Sequence, residues 1–216
     1  MSKKTEVAGT KESPEVIKIQ PPNFQTIQVR MVGTAPLMQA RFSKKVEMMT
    51  AMAEGSTGKK GKKRAARDFE QDMRDAIHVS SDGWYGHPAS AIRNACIDVC
   101  RMVGHKMTFA KMSIFVESDG LDAAEGQPLV RLIAGEPERS SLPARNANGS
   151  VDIRVRPMWR QWEMRPVIRF DRDQFSPSDV INLISRAGMQ VGIGEGRPFS
   201  KMSNGLDMGT WRIETV

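Results

Sequence analysis

The sequence predicts an α+β domain in which helices lie on one face of an antiparallel sheet and a glycine-rich loop follows the last helix. Three observations lead there. Several short runs alternate apolar and polar residues with the two-residue period of strands, helices are not interleaved with them in regular βα order, and residues 176–216 read as a capped helix, a glycine-rich basic loop and a returning strand.

That last stretch is the most informative. Ser176 or Ser178 can accept a hydrogen bond from an orphan backbone N–H, Pro177 suits a first turn because it has no N–H, and Gly188 is placed to end the helix in a left-handed conformation. Gly192, Gly194, Gly196, Gly205 and Gly209 then put five glycines into eighteen residues, a cost in backbone entropy that a plain connector does not require. Arg197 and Lys201 bring positive charge to the same loop, a combination that suits close approach to a phosphate backbone; tight bends alone are the other explanation for the glycines.

The elements follow in order. Residues 1–22 are polar, mixed in charge and closed by Pro21 and Pro22, and are expected to be a disordered tail ahead of a single domain, 23–216, with a basic flexible insertion at about 55–66. Residues 24–33 alternate, with Ile27, Val29 and Met31 on one face and Gln28 and Arg30 on the other, which predicts a half-buried strand. Val46, Met49 and Met52 recur at helical spacing, and after the insertion Phe69, Met73, Ala76 and Ile77 form the apolar stripe of a helix over 65–77. A turn at 80–88 leads to a second helix, 89–103, that would bury Ile92, Cys96, Val99 and Val103. Residues 113–117 and 128–134 are short strands, and 135–149 reads as a long polar connection. In 151–157, Val151, Ile153 and Val155 alternate with Asp152, Arg154 and Arg156; in 162–170, Met164, Ile168 and Phe170 oppose Arg165 and Arg169. Arginines interleaved with Trp159 and Trp162 suit phosphates and stacked bases of a single strand, while a solvated face balanced by Asp152, Glu163 and Asp171 is the plainer alternative.

Composition bounds the chemistry. The 216 residues suffice for a buried core, but only 6% are aromatic, so fifteen Met must share the interior with Val, Ile and Leu. The sequence has no apolar run of membrane-spanning length and no apolar leader, so a cytoplasmic protein is expected. Cys96 and Cys100, four residues apart on one helix face without partners at zinc-finger spacing, read as core thiols. The net charge is +7, and Lys59, Lys60, Lys62, Lys63 and Arg64 supply five of those charges, so the basicity belongs mostly to one loop that can bind a polyanion.

Motifs for catalysis are sparse. Gly55 to Gly61 is one residue too long for a P-loop, and Lys63 stands where the magnesium-binding hydroxyl belongs. There is no HExxH or GxSxG sequence, and no cofactor or metal is expected. His78, His87 and His105 are the only histidines; His87, between Gly86 and Pro88, is the weak candidate for a general base in metal-free RNA cleavage.

The first strand running into Gly33-Thr-Ala-Pro-Leu-Met, together with Gly192-Ile-Gly-Glu-Gly-Arg and the closing Gly209-Thr-Trp-Arg-Ile-Glu, resembles the RAMP superfamily of CRISPR-associated RNA-binding proteins. It is also similar to uncharacterised proteins of this length from phages and prophages. The resemblance implies a ferredoxin-like or RRM-like sheet whose C-terminal glycine-rich loop contacts RNA backbone. On that pattern Gly192, Gly194 and Gly196 are the first glycine cluster, Arg197 and Lys201 the basic positions, and Gly205 and Gly209 the second cluster, spelled Gly-Leu-Asp-Met-Gly rather than Gly-x-Gly.

Residues and resemblance together lead to a protein that binds single-stranded RNA or DNA, as a homo-oligomer or a subunit of a nucleoprotein complex. Contacts are expected from Lys59, Lys60, Lys62, Lys63 and Arg64, from Arg154, Arg156, Trp159, Arg165 and Arg169, and from Arg197 and Lys201. A phage assembly or host-inhibitory protein and a metal-independent endonuclease are the alternatives.

Overall fold

The alternating run 24–33 forms two successive strands, β1 (Phe24–Gln28) and β2 (Arg30–Gly33), with Val29 and Met31 buried and Gln28 exposed as the alternation predicts. The computed structural model describes residues 19–41, 68–145, 151–201, 203 and 205–214. The 43–54 helix, the basic insertion with its five cationic residues and most of the N-terminal tail lie outside these residues.

After β3 (Leu37–Met38) the described chain resumes at Asp68, whose carboxylate accepts from the N–H groups of Glu70 and Gln71 at 3.1 Å and starts α1 (Phe69–Asp75). β4 (Gly86–Pro88) leads directly into α2 (Ala89–Val99). α3 (Met107–Ser113), β5 (Ile114–Val116), β6 (Gly120–Leu121) and β7 (Pro128–Ile133) follow. β8 (Glu138–Arg145) and β9 (Val151–Trp159) form a hairpin, then come β10 (Glu163–Met164) and β11 (Val167–Asp171). α4 (Pro177–Arg186) runs into a π-helical turn, Ala187–Val191, and β12 (Trp211–Glu214) closes the chain.

The result is a mixed α+β architecture in which every described strand pair is antiparallel. One sheet has the order β1-β11-β5, a second β12-β2-β10-β7-β4 with β6 beside β7, and a third β3-β9-β8. The first two meet where the Val29 N–H donates to the Pro166 carbonyl at 3.2 Å. From one edge to the other, the chain therefore reads closing strand, opening strand, the 163–171 run, then β5 and β7. Met31, Met164, Ile168 and Phe170 are fully buried in one core with Ile92, Cys96 and Val99 of α2 and Val180 and Ile184 of α4. Each such side chain contributes roughly 1.5–3 kcal/mol by leaving water. Cys96 and Cys100 are free thiols in that core, and burial pushes Cys96 up to about 12, which leaves it an inert thiol.

Several elements depart from expectation. The 135–149 segment is not all connection: β8 pairs with β9 from Glu138 opposite Met158 to Arg145 opposite Val151, a ladder that its polar composition does not announce. Ile153 is 52% exposed because this stretch of the hairpin is not covered by the core, although its alternation resembles that of a half-buried strand. α2 ends at Val99, and Val103, in the turn before the left-handed Gly104, is exposed rather than buried. The 162–170 run breaks at Pro166, which has no N–H for the ladder, with its expected apolar face intact.

The last helix starts as expected. Ser176 accepts from the Asp179 N–H at 3.2 Å while the Asp179 carboxylate accepts from the Ser176 N–H at 3.0 Å, a reciprocal cap. It does not end at Gly188, which lies inside the π turn against the Trp211 backbone and ring, where a Cβ would collide. The helical path instead stops at Gly192, with φ +70°. Further on, Gly209 has φ +64°, and a Cβ there would overlap the Ile193 carbonyl. Gly83 has φ +85° but nothing within 4 Å of its would-be Cβ, which makes it a control. Gly209→Ala is expected to cost about 2–4 kcal/mol in urea denaturation and Gly83→Ala about 1 kcal/mol; equal losses would mean that the 209–193 approach is not tight.

Candidate functional site

Residues 192–201 are held from three sides by backbone. The Ile193 N–H donates to Gly209 at 3.0 Å, the Glu195 N–H to Met38 of β3 at 2.9 Å, and the Met208 N–H to Gly196 at 3.1 Å. This fixes Glu195 beside β9, where its carboxylate takes the Arg156 guanidinium directly and lies 3.9 Å from that of Arg154. Arg197 donates to the Gly194 carbonyl at 3.2 Å, and Lys201 is exposed. Arg154 and Arg156 are thus drawn to the segment that carries Arg197, and two guanidinium groups share the Glu195 carboxylate while the third bonds backbone.

The other two expected arginines are elsewhere. Arg165 pairs with Glu163 at 2.7 Å, and Arg169 pairs with Glu117 at 2.6 Å while lying over the rings of Phe24 and Phe115 at 4.7 and 4.4 Å. They stand on the uncovered side of the main sheet. There Arg30 bridges Glu163 and Glu214, each at 2.7 Å, and its hydrogen bond holds Glu163 down at about 2. The balanced face foreseen as the plainer alternative therefore exists at Glu163. Trp159 is a correction: it is 2% exposed, and its Nε1–H donates to the Gly135 carbonyl at 3.0 Å, so its ring packs in the core instead of offering a surface for bases. Trp162 is likewise buried, donating to the Ala35 carbonyl at 2.8 Å.

Behind residues 191–197 a cleft of about 380 Å³ is lined by Arg41, His78, Ser90, Asn94 and Asp98 as well as Arg197. It reaches, through His78 and Arg41, a buried polar network that sequence reasoning missed. Gln39 accepts from the His78 N–H at 3.0 Å through Oε1, and through Nε2 donates to the Gly86 carbonyl at 2.8 Å and reaches His87 Nδ1 at 3.3 Å. His78 Nδ1 lies 3.0 Å from the Asp122 carboxylate, which also accepts from the N–H groups of Ala124 and Glu125 at 2.9 and 3.0 Å. Arg41 stands 3.8 Å from Asp122 and 3.6 Å from Glu125. The missed residues gave little signal: Asp122 reads as a turn residue, and Gln39 as the polar end of an apolar run.

Burial lowers the pKa of His78, against the pull of Asp122, and depresses His87 to about 3, with the charges of His78 and Arg197 adding to the effect. His87 is 4% exposed. Enclosed in this way and neutral, it is a buried residue rather than a base open to a strand.

Among the described residues no group of three or more His, Cys, Asp or Glu could hold a metal ion, and no helix is long and apolar enough to cross a membrane. No protein-family model matches the chain, and no curated protein matches it significantly.

Both depressed histidines couple folding to acid. Each is neutral when folded and takes up a proton when the chain unfolds below its ordinary pKa of 6.5, so the unfolded state binds more protons there. Stability is fully present above pH 6.5 and is lost as the pH falls toward the folded His87 value of about 3. The slope is up to about 1.4 kcal/mol per pH unit for that ring. Urea midpoints measured from pH 8 to 4 are expected to fall below 6.5, and His87→Gln to flatten the fall by about one proton; an unchanged slope removes His87 from the acid response.

Proposed function

We propose that the protein binds single-stranded RNA or DNA through its phosphates, without a sequence preference, and that its sheet is ferredoxin-like or RRM-like in the manner of the RAMP superfamily. The observation that carries the binding reading is the gathering of Arg154 and Arg156 at the carboxylate of Glu195, two residues from Arg197 in the same segment. Two planar donors against one acid leave positive charge and N–H groups beside a strand and a backbone bend, which is what a phosphate backbone requires. The run from Lys59 to Arg64 adds five charges that a strand would neutralise.

The fold reading has its own support. Taking β1 and β2 as the first strand, β5 and β7 as the second, β10 and β11 as the third and β12 as the fourth, the order across the sheet is fourth, first, third, second. α2 falls between the first and second strands and α4 between the third and fourth, and both bury side chains in the one core. A ferredoxin-like sheet has the same strand order, and this supports the reading. The uncovered face with Phe24, Phe115 and Arg169 then corresponds to the side that RRM-like proteins turn toward bases.

A protein-assembly role rests on a different feature, the exposed Met102, Val103, Phe109 and Met112 in 102–112. A single protein peak of defined size, free of nucleic acid at 260 nm, would favour it.

The test is fluorescence anisotropy with labelled single-stranded RNA and DNA across a salt series. Binding is expected to weaken steeply with salt. Replacing the five basic residues of 59–64 by Ser is expected to reduce the logarithmic slope by up to about 3.5, because each phosphate the loop no longer neutralises removes about 0.7. Arg154→Ala with Arg156→Ala is expected to lower affinity at least ten-fold for all sequences alike. No binding at low salt would discard the reading.

A further inference from the structure

Of the four tryptophans, Trp159, Trp162 and Trp211 are buried, and Trp84 alone is half-exposed. Two glycines decide where its ring lies. Gly86 of β4 stands opposite Arg131 of β7, and Gly120 of β6 stands opposite Leu129 on the other side of the same strand. A Cβ on either glycine would come within 2.9 Å of the six-membered ring of Trp84. Residues opposite each other in an antiparallel pair turn their Cβ atoms to one face, so the ring lies on the face of Leu129 and Arg131. Val130 and Leu132 alternate to the other face, into the core. Trp84 therefore bridges β7 on the uncovered side of the sheet, beside a fully buried Leu129. Neither glycine has a positive φ, so it is the ring and not the backbone that calls for glycine at 86 and 120.

The charge beside this ring is unlike the rest of that face. Arg30, Arg165, Arg169 and Arg212 each pair with a carboxylate. Arg131 is exposed and pairs with none among the described residues; its guanidinium stands over Trp84 at 5.9 Å from the ring centroid. That is looser than the 4.7 and 4.4 Å at which Arg169 closes on Phe24 and Phe115. Trp84 and Arg131 border a pocket of about 270 Å³ completed by Gln28, Asp119, Ile133 and Arg165. Asp119 is engaged by backbone there, accepting from the Arg131 N–H at 2.8 Å. An anchored indole loses little freedom when a flat group stacks on it, and an arginine without a carboxylate takes a phosphate with no pair to break. The volume is just under the roughly 300–1,000 Å³ of pockets that enclose a whole ligand, which suits one base with its phosphate left at the rim.

We infer that Trp84 and Arg131 form a base subsite for a single strand: one base stacks on the Trp84 indole, and Arg131 takes the adjoining phosphate. Stacking uses the π-face that every base has, so the subsite adds affinity without a sequence preference. Gln28 shares the exposed face of β1 with Phe24, four residues or about 14 Å away, so a strand that reaches both aromatic ends of the sheet runs along β1. The inference rests on the strand-binding reading and adds to it a contact with a base, which the arginines around Glu195 do not supply.

The experiment is titration of the full chain with single-stranded oligothymidylate at low salt, read by tryptophan fluorescence and by anisotropy of a labelled strand. Oligothymidylate is expected to quench the fluorescence. An abasic strand of equal length keeps every phosphate and is expected to bind at least about five-fold more weakly, without the quench. Trp84→Leu is expected to lower affinity for oligothymidylate at least about five-fold, and Trp84→Phe, which keeps a ring to stack on, to lower it less while abolishing the quench. Arg131→Gln leaves the cover of Leu129 in place and is expected to reduce the logarithmic salt slope by about 0.7. Binding that leaves the fluorescence unchanged, equal affinity for the abasic strand, a quench that survives in Trp84→Phe, or an unaltered salt slope in Arg131→Gln overturns the inference and leaves the phosphate reading standing. Binding of neither strand at low salt removes both.

Discussion

Met31 and Met164 stand opposite each other in the antiparallel pairing of β2 with β10, and the rest of the molecule depends on that pairing. It continues as β1 against β11 from Phe24 opposite Asp171 to Gln28 opposite Val167, joining chain segments more than 130 residues apart in sequence. Such a contact is slow to form because a long loop must close first, and its reward is a flat apolar surface on which both helices can bury their stripes. β12 then adds to β2 from the other side, so the last described strand docks on the second. The chain between Val191 and Trp211 is thereby anchored at both ends, which is why Arg197 and Glu195 have defined places at all.

Close backbone approach does the next part of the positioning. Gly209 lies against the Ile193 carbonyl and donates to the Pro36 carbonyl at 2.8 Å, and Glu195 is tied to Met38, so the glycines let this segment lie against β3 without side chains intervening. Glu195 in turn gathers the arginines of β9. The compensation is partial there and nearly complete on the main sheet, where Glu163, Glu214 and Glu117 each engage arginines. Charge count alone does not distinguish the two places; the number of acids within reach of each guanidinium does, because a paired arginine must give up its carboxylate before it takes a phosphate.

The histidine network has a different character. Gln39, His78, His87 and Asp122 sit in a low-dielectric wall where every misplaced proton is costly, and the neutral state of both rings follows from burial. A buried amide that satisfies a backbone N–H, a backbone carbonyl and a ring nitrogen at once fixes a tautomer without any charge.

The sequence by itself determined the local elements. Alternation placed the buried face of 24–33 and of 162–170, and the pattern Ser176-Pro177 followed by Asp179 set the start of the last helix, because period and capping act within a few residues and need no partner. It also singled out Arg154 and Arg156, which the structure brings to Glu195. What only the tertiary structure decided was where those elements meet. β8 is polar and becomes a strand because β9 lies beside it; Trp159 is surface or core according to what packs on it; and Gly188 can end a helix or admit Trp211. The same holds for the partners of each arginine and for the convergence of Gln39 with His78 and His87. These are contacts across dozens of residues, and their free energy comes from surfaces that exist only once the chain has closed upon itself.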